Sequence, residues 1–256
     1  MKSNIPIMRA HWPVRESGGE MMENEQVRVT LLLEGFFTLD LGFLVYGKAP
    51  YYGKKYQAAL KPLLIRTESD VILVDSGMGE LPESYRKHYE IDRRQTLTEA
   101  LHREGINRED VSLIINTHLH MDHAGNNRLF PNAKTYVQKD ELEYAYNPHR
   151  FMQAAYIEEF FDGLDFITIR GNYGISDAVE IISTPGHTPG HQSVVVHGDR
   201  TDYIYCGDIA PLRENLEKRN IVGVLFNPVE ALESLDLLRS LKGVHIFPHD
   251  NEQLQL

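Results

Sequence analysis

The stretch Thr117-His118-Leu119-His120-Met121-Asp122-His123-Ala124-Gly125 puts three imidazoles and a carboxylate into six positions, directly after the apolar run Val111-Ser112-Leu113-Ile114-Ile115-Asn116. A strand that stops near Asn116 and opens into a loop delivers those side chains together, and an ordinary turn has no use for three histidines. Imidazole suits zinc, iron, nickel and copper, and a carboxylate adds charge neutralisation, so a His/Asp mixture without thiolate points to divalent first-row ions. His118 and His120 alternate and can face one ion; Asp122 and His123, on the next bend, can face a second. The stretch then reads as half of a dinuclear site. The plain alternative, a polar loop with satisfied histidines, suits a lone histidine better than this cluster.

Four more pieces follow in order: Val71-Ile72-Leu73-Val74-Asp75-Ser76-Gly77 ahead of the cluster, then Ser183-Thr184-Pro185-Gly186-His187-Thr188-Pro189-Gly190-His191, Tyr205-Cys206-Gly207-Asp208 and Phe247-Pro248-His249-Asp250 behind it. Together with His-x-His-x-Asp-His after a buried strand, this layout resembles the metallo-β-lactamase superfamily over nearly the whole chain. The resemblance implies an α/β (α+β) fold, an αββα sandwich of two mixed sheets packed face to face with helices outside. It implies that His118, His120 and His187 bind one ion, that Asp122, His123 and His249 bind another, and that Asp208 bridges. It gives Asp75 the task of supporting the metal loop. Zinc is the first expectation for the two divalent ions, and iron, manganese and cobalt accept the same ligands. Some members place cysteine where Asp208 stands, so an oxygen here favours a harder, hydrolytic centre.

Composition narrows the partners. At 256 residues the chain can build a large core, with 42% apolar and 25% charged residues typical of a soluble globule. The formal net charge of −11 repels polyanions, so nucleic acid and anionic membranes are expected to be excluded and a small neutral or weakly charged substrate favoured. Cys206 is the single cysteine, which rules out an intramolecular disulfide and fits a reducing cytoplasm. Residues 1–26 contain no apolar run suited to a signal peptide, and no stretch approaches a membrane span of roughly 18 apolar residues. They read as an arm after which residues 27–256 form the hydrolase domain. The Ser17-Gly18-Gly19-Glu20 junction lets that arm pack on its own body or on another subunit of a homodimer.

Along the body, Val27 to Leu33 is strand-like, and Ala49 to Tyr56 is a loop read either as exposed surface or as a pocket wall. Leu63–Arg66 and Val71–Val74 form a hairpin across residues 67–70. Thr96-Leu97-Thr98-Glu99 is a capping box opening a helix that stops near Gly105. Tyr144, Tyr146, Phe151, Tyr156, Phe160 and Phe161 crowd one segment in which positions 152, 156 and 160 recur at helical spacing, either a core stripe or a helical lid for an acyl chain. Strand alternation puts Cys206 on the face of Asp208, as a small buried side chain or a neighbour of the site. His191 supports its loop or lines the entrance. Asn227 caps a last helix with Pro228 in its first turn and Gly243 beyond its end.

Two ions about 3.5 to 4 Å apart acidify a bridging water, whose hydroxide then attacks an ester-type carbonyl while Asp122 or Asp208 handles the proton of the leaving group. The layout most resembles acyl-homoserine-lactone lactonases, the quorum-quenching branch, so a lactone is the first substrate expectation. Many of those carry a tyrosine three residues after the bridging aspartate, whereas this chain has Ile209-Ala210-Pro211. A glyoxalase-II-like thioesterase and a phosphodiesterase or organophosphate hydrolase are the alternatives. A flavo-diiron reductase places Glu where His120 stands and adds a flavodoxin domain, and a non-catalytic relative would have lost ligands.

Overall fold

The computed structural model describes residues 27–256; the proposed arm of residues 1–26 lies outside them. The chain runs through β1 (Arg28–Leu31), β2 (Gly35–Asp40), β3 (Lys55–Leu60), β4 (Leu63–Arg66), β5 (Val71–Val74), α1 (Glu83–Arg86), β6 (Glu90–Arg93) and α2 (Leu97–Arg103). It continues with β7 (Leu113–Ile115), β8 (Lys134–Gln138), α3 (Lys139–Ala145), β9 (Phe166–Ile169), β10 (Tyr173–Gly174) and β11 (Val179–Ser183). β12 (Gln192–His197), β13 (Asp202–Tyr205), α4 (Arg213–Lys218), α5 (Pro228–Ser240) and β14 (Val244–Ile246) complete it.

Two mixed sheets, β1-β4-β5-β7-β8-β9 and β10-β11-β12-β13-β14, face each other. Alternation explains the layers. Leu63, Ile65, Ile72, Val74 and Ile115 of one sheet meet Val179, Ile181, Val194, Val196 and Ile246 of the other. The opposite sides of the same strands bury Leu64, Leu73 and Ile114 against Leu97, Ala100 and Leu101 of α2, and Ile182, Val195 and Ile204 against Ala231, Leu235 and Leu238 of α5. That is the αββα sandwich. A third sheet, β3-β2-β6, lays Phe37, Leu39, Tyr56, Ala58 and Ile91 over Met78, Met121 and Leu212 at one end of it.

The edge that gathers the candidate ligands follows from strand direction. β5, β7 and β8 run parallel, so Asp75 and the 117–125 loop emerge on one edge. β11 and β13 both pair antiparallel with β12, and β14 runs parallel to β13, so the loops bearing His187, Asp208 and His249 also emerge together.

Two expectations need correction. The segment after Glu141 is no continuous helix: α3 ends at Ala145, and only 3-10 turns at Gln153–Ala155 and Glu158–Phe160 follow. Asn147 precedes Pro148, and a residue before proline is pushed out of the α region. Met152, Tyr156 and Phe160 are still buried, but in two different clusters. Strand alternation also fails at Cys206, because β13 ends at Tyr205 and Cys206 is already helical in φ and ψ, opening the Gly207–Ile209 turn. Its thiol therefore packs with α5, on the far side from the ligands.

Candidate metal centre

All seven candidate ligands converge. His118, His120 and His187 form one group with ligand atoms within 4.8 Å of one another, Asp122, His123 and His249 form a second, and His118, His123 and Asp208 a third that joins them. His187 Nε2 lies 3.2 Å from His118 Nε2 and 3.1 Å from His120 Nδ1. In the second group His249 Nε2 lies 3.2 Å from His123 Nε2 and 3.4 Å from Asp122 Oδ2. Asp208 faces both groups: Oδ1 stands 3.3 Å from His249 Nε2 and 3.5 Å from His123 Nε2, while Oδ2 stands 3.7 Å from His187 Nε2.

The outer nitrogens decide what the inner ones can be. His123 Nδ1 donates to Asp75 Oδ2 at 2.7 Å, His187 Nδ1 to the Val224 carbonyl at 2.6 Å and His249 Nδ1 to the Ala59 carbonyl at 2.8 Å. Those oxygens only accept, so each neutral ring turns a bare Nε2 lone pair inward. Thr117 Oγ1 gives its one proton to Asp75 and so accepts from His118 Nδ1, at 2.9 Å, with the same result. Lone pairs opposed at about 3.2 Å repel unless a proton or a metal cation lies between them, and oriented imidazoles of this kind are what a metal centre requires. Asp208 Oδ1 and His120 Nε2 are buried without a hydrogen-bond partner among the described residues. The donor set fits two divalent cations.

Electrostatics agree. Burial, then neighbouring imidazoles, hold His118 and His120 well below the ordinary histidine range, so they stay neutral lone-pair donors. Burial also disfavours a charged His123, yet Asp122, Asp208 and Asp75 outweigh it and push this imidazole up to about 10. The second group thus holds a strong negative potential, and a cation of higher charge competes with that proton.

Asp75 explains part of this order. At φ +61° it occupies the left-handed region without being glycine, a local cost of about 1–2 kcal/mol. From there its carboxylate accepts from Thr117 N at 2.7 Å and orients His123. His191 supports its neighbours: Nδ1 donates to Thr184 O, and Nε2 accepts from Asp208 N at 2.9 Å. The roles of the Ala59 and Val224 carbonyls have no sequence signal, since any residue supplies a carbonyl. The Thr117 hydroxyl was legible only as a polar neighbour of His118.

The sequence profile described as the metallo-beta-lactamase superfamily matches residues 62–248. An N-acyl homoserine lactonase of Bacillus thuringiensis is 30% identical over 206 residues, covering 74% of this chain and 80% of its own length. The N-acyl homoserine lactonase AttM of Rhizobium radiobacter is 32% identical over 213 residues, covering 75% and 81%. A crystal structure of an N-acyl homoserine lactone hydrolase, with the product N-hexanoyl-L-homoserine bound at its catalytic metal centre, superposes with a TM-score of 0.76 at 29% identity, covering 90% of this chain and 95% of that one. With its signature loop, its ligand-bearing edge and the profile match in one frame, the chain belongs to the metallo-beta-lactamase superfamily.

Proposed function

We propose that this hydrolase opens the ring of N-acyl homoserine lactones, with His118, His120 and His187 holding one divalent ion, Asp122, His123 and His249 the other, and Asp208 shared between them. The arrangement of Asp208, one oxygen toward each histidine group, is the observation that carries the reading. When bound, two divalent cations polarise a carbonyl and acidify water. Zinc is the ion we expect, given an all-nitrogen and oxygen donor set of this size.

The chain's own residues supply the rest. Adding water to the acyl carbon breaks the ring C–O bond and leaves an alkoxide that must gain a proton. Asp122, its side chain 13% exposed beside His249, is placed to receive the proton lost by water and return it there. Pro211 offers no hydroxyl for the substrate carbonyl. Tyr89 is the candidate substitute: it lies just before β6 and packs against the cluster of Phe37, whose ring meets that of His249 edge-on at 5.5 Å. Burial and then the charge of Asp122 push its phenol up, so it remains a donor. Tyr89→Phe should lower kcat about tenfold to a hundredfold with metal content unchanged; equal turnover removes Tyr89 from the reaction. We expect the acyl chain to lie against the apolar cluster of Phe37, Leu81, Met121, Ile157 and Phe160, which packs at the same corner.

The test compares butanoyl- with dodecanoyl-homoserine lactone on the zinc, manganese and cobalt forms. Each buried methylene adds at most about 0.8 kcal/mol, so efficiency should rise with chain length. If no metal form opens either lactone while a thioester or phosphodiester is hydrolysed readily, the lactone assignment fails and the hydrolase assignment stands.

A further inference from the structure

Glu141 is a fully buried carboxylate on α3 that no step of the reaction uses. Its Oε1 accepts from the Leu119 backbone N–H at 2.9 Å, between His118 and His120, and from the Tyr156 hydroxyl at 3.0 Å. The Tyr156 ring stands edge-on to His120 at 4.7 Å, and the Met121 N–H donates to the Ala155 carbonyl at 2.9 Å. On the other side lies the His187 loop. A Cβ on Gly190 would come within 2.2 Å of the Glu141 nitrogen, so the two backbones touch there. Oε2 and Thr188 Oγ1 are buried with no closed hydrogen bond of their own, leaving each as the other's natural partner. Burial raises the carboxyl's proton affinity, and the Thr188, Leu119, Tyr156 and Gly190 donors oppose that rise.

Resting on the two-ion reading above, we propose that Glu141 is the positioning residue of the three-histidine group: it sets the gap between the His118–His120 stretch and the His187 loop, and thereby the affinity for the ion held there. Only a group that accepts on every side satisfies the donors around it. Glutamine presents N–H to N–H at one of those contacts, and a hydrophobic residue leaves them unmet in a dry interior. Residues behind metal ligands commonly change affinity by 10- to 100-fold when altered.

The test strips wild-type, Glu141→Gln and Tyr156→Phe proteins of metal and titrates zinc against a chromophoric chelator, with thermal melts of the stripped proteins alongside. Glu141→Gln should weaken one of two zinc steps about 10- to 100-fold and leave the other within about threefold. Tyr156→Phe, which removes one donor and keeps the ring, should weaken the same step several-fold. A lower melting temperature with both zinc affinities unchanged shows Glu141 to be a stability element only and overturns the proposal. If Glu141→Gln does not fold, unchanged zinc affinities in Tyr156→Phe overturn it. Should the wild-type protein itself bind fewer than two zinc ions, the two-ion reading fails first.

Discussion

At the residue scale, the centre depends on carboxylates with different jobs. Asp208 faces both histidine groups, and on the proposed reading it is shared between two cations, so Asp208→Ala should cut turnover by about a hundredfold or more, while the melting temperature of the metal-free protein shifts by only a few degrees. Steady-state kinetics beside calorimetry check both halves, and unchanged turnover would sink the shared role. Glu34 does structural work, accepting from Met78 N and meeting Arg93 at 3.4 Å in a fully buried position. Burial dominates and pushes its carboxyl up to about 8 from an ordinary 4.5. Between those values the folded protein keeps a proton that the unfolded chain has released, so stability falls as pH rises through that window, by up to about 1.4 kcal/mol per pH unit. Denaturant melts from pH 5 to 8 should show the slope in the wild type and lose it in Glu34→Gln.

Elements carry the second layer of the argument, because loops hold ligands only as well as helices hold loops. Gly186, at φ +131°, lies against the start of α5, where an added Cβ would come within 2.2 Å of Ala231 N. Gly186→Ala should therefore cost about 1–3 kcal/mol and loosen the metal bound through the adjacent His187. A denaturant midpoint and a zinc count on the purified variant measure both effects; a wild-type metal content would show that the His187 loop does not depend on this contact. α5 was legible because Asn227 accepts from Val229 N and Glu230 N and Pro228 opens the first turn, and α2 because Thr96 and Glu99 form a reciprocal capping box. The 146–164 segment was not. Apolar spacing of four occurs there without a helix: Pro148 breaks the chain after α3, and beyond it Met152 and Tyr156 enter one cluster and Phe160 another, so no single face is buried.

For the whole molecule, two sheets, two outer helix layers and a third small sheet converge on one edge, and a cation pair there would bind the folded chain but find no assembled site in the unfolded one. Chelation should abolish activity and lower the melting temperature, and added zinc should restore both. At free zinc about 100 times its dissociation constant, each site adds about 2.7 kcal/mol. A metal-free preparation with full activity would refute the dinuclear mechanism. Among the described residues no helix is long and apolar enough to cross a membrane.

The signature loop was readable in sequence from local pattern, histidines at fixed spacing after a strand, while the αββα class and the identities of the seven converging side chains came from the resemblance that five motifs in register carry. What those side chains face was decided only by tertiary structure. Strand direction brings His187 and His249 to His118 and His123 across 69 and 126 positions of chain. Carbonyls of Ala59 and Val224 then select the histidine tautomers. The end of β13 at Tyr205 turns Cys206 away from Asp208. Long-range hydrogen bonds and strand termini depend on which backbone group lies opposite which, and a one-dimensional pattern carries no record of that.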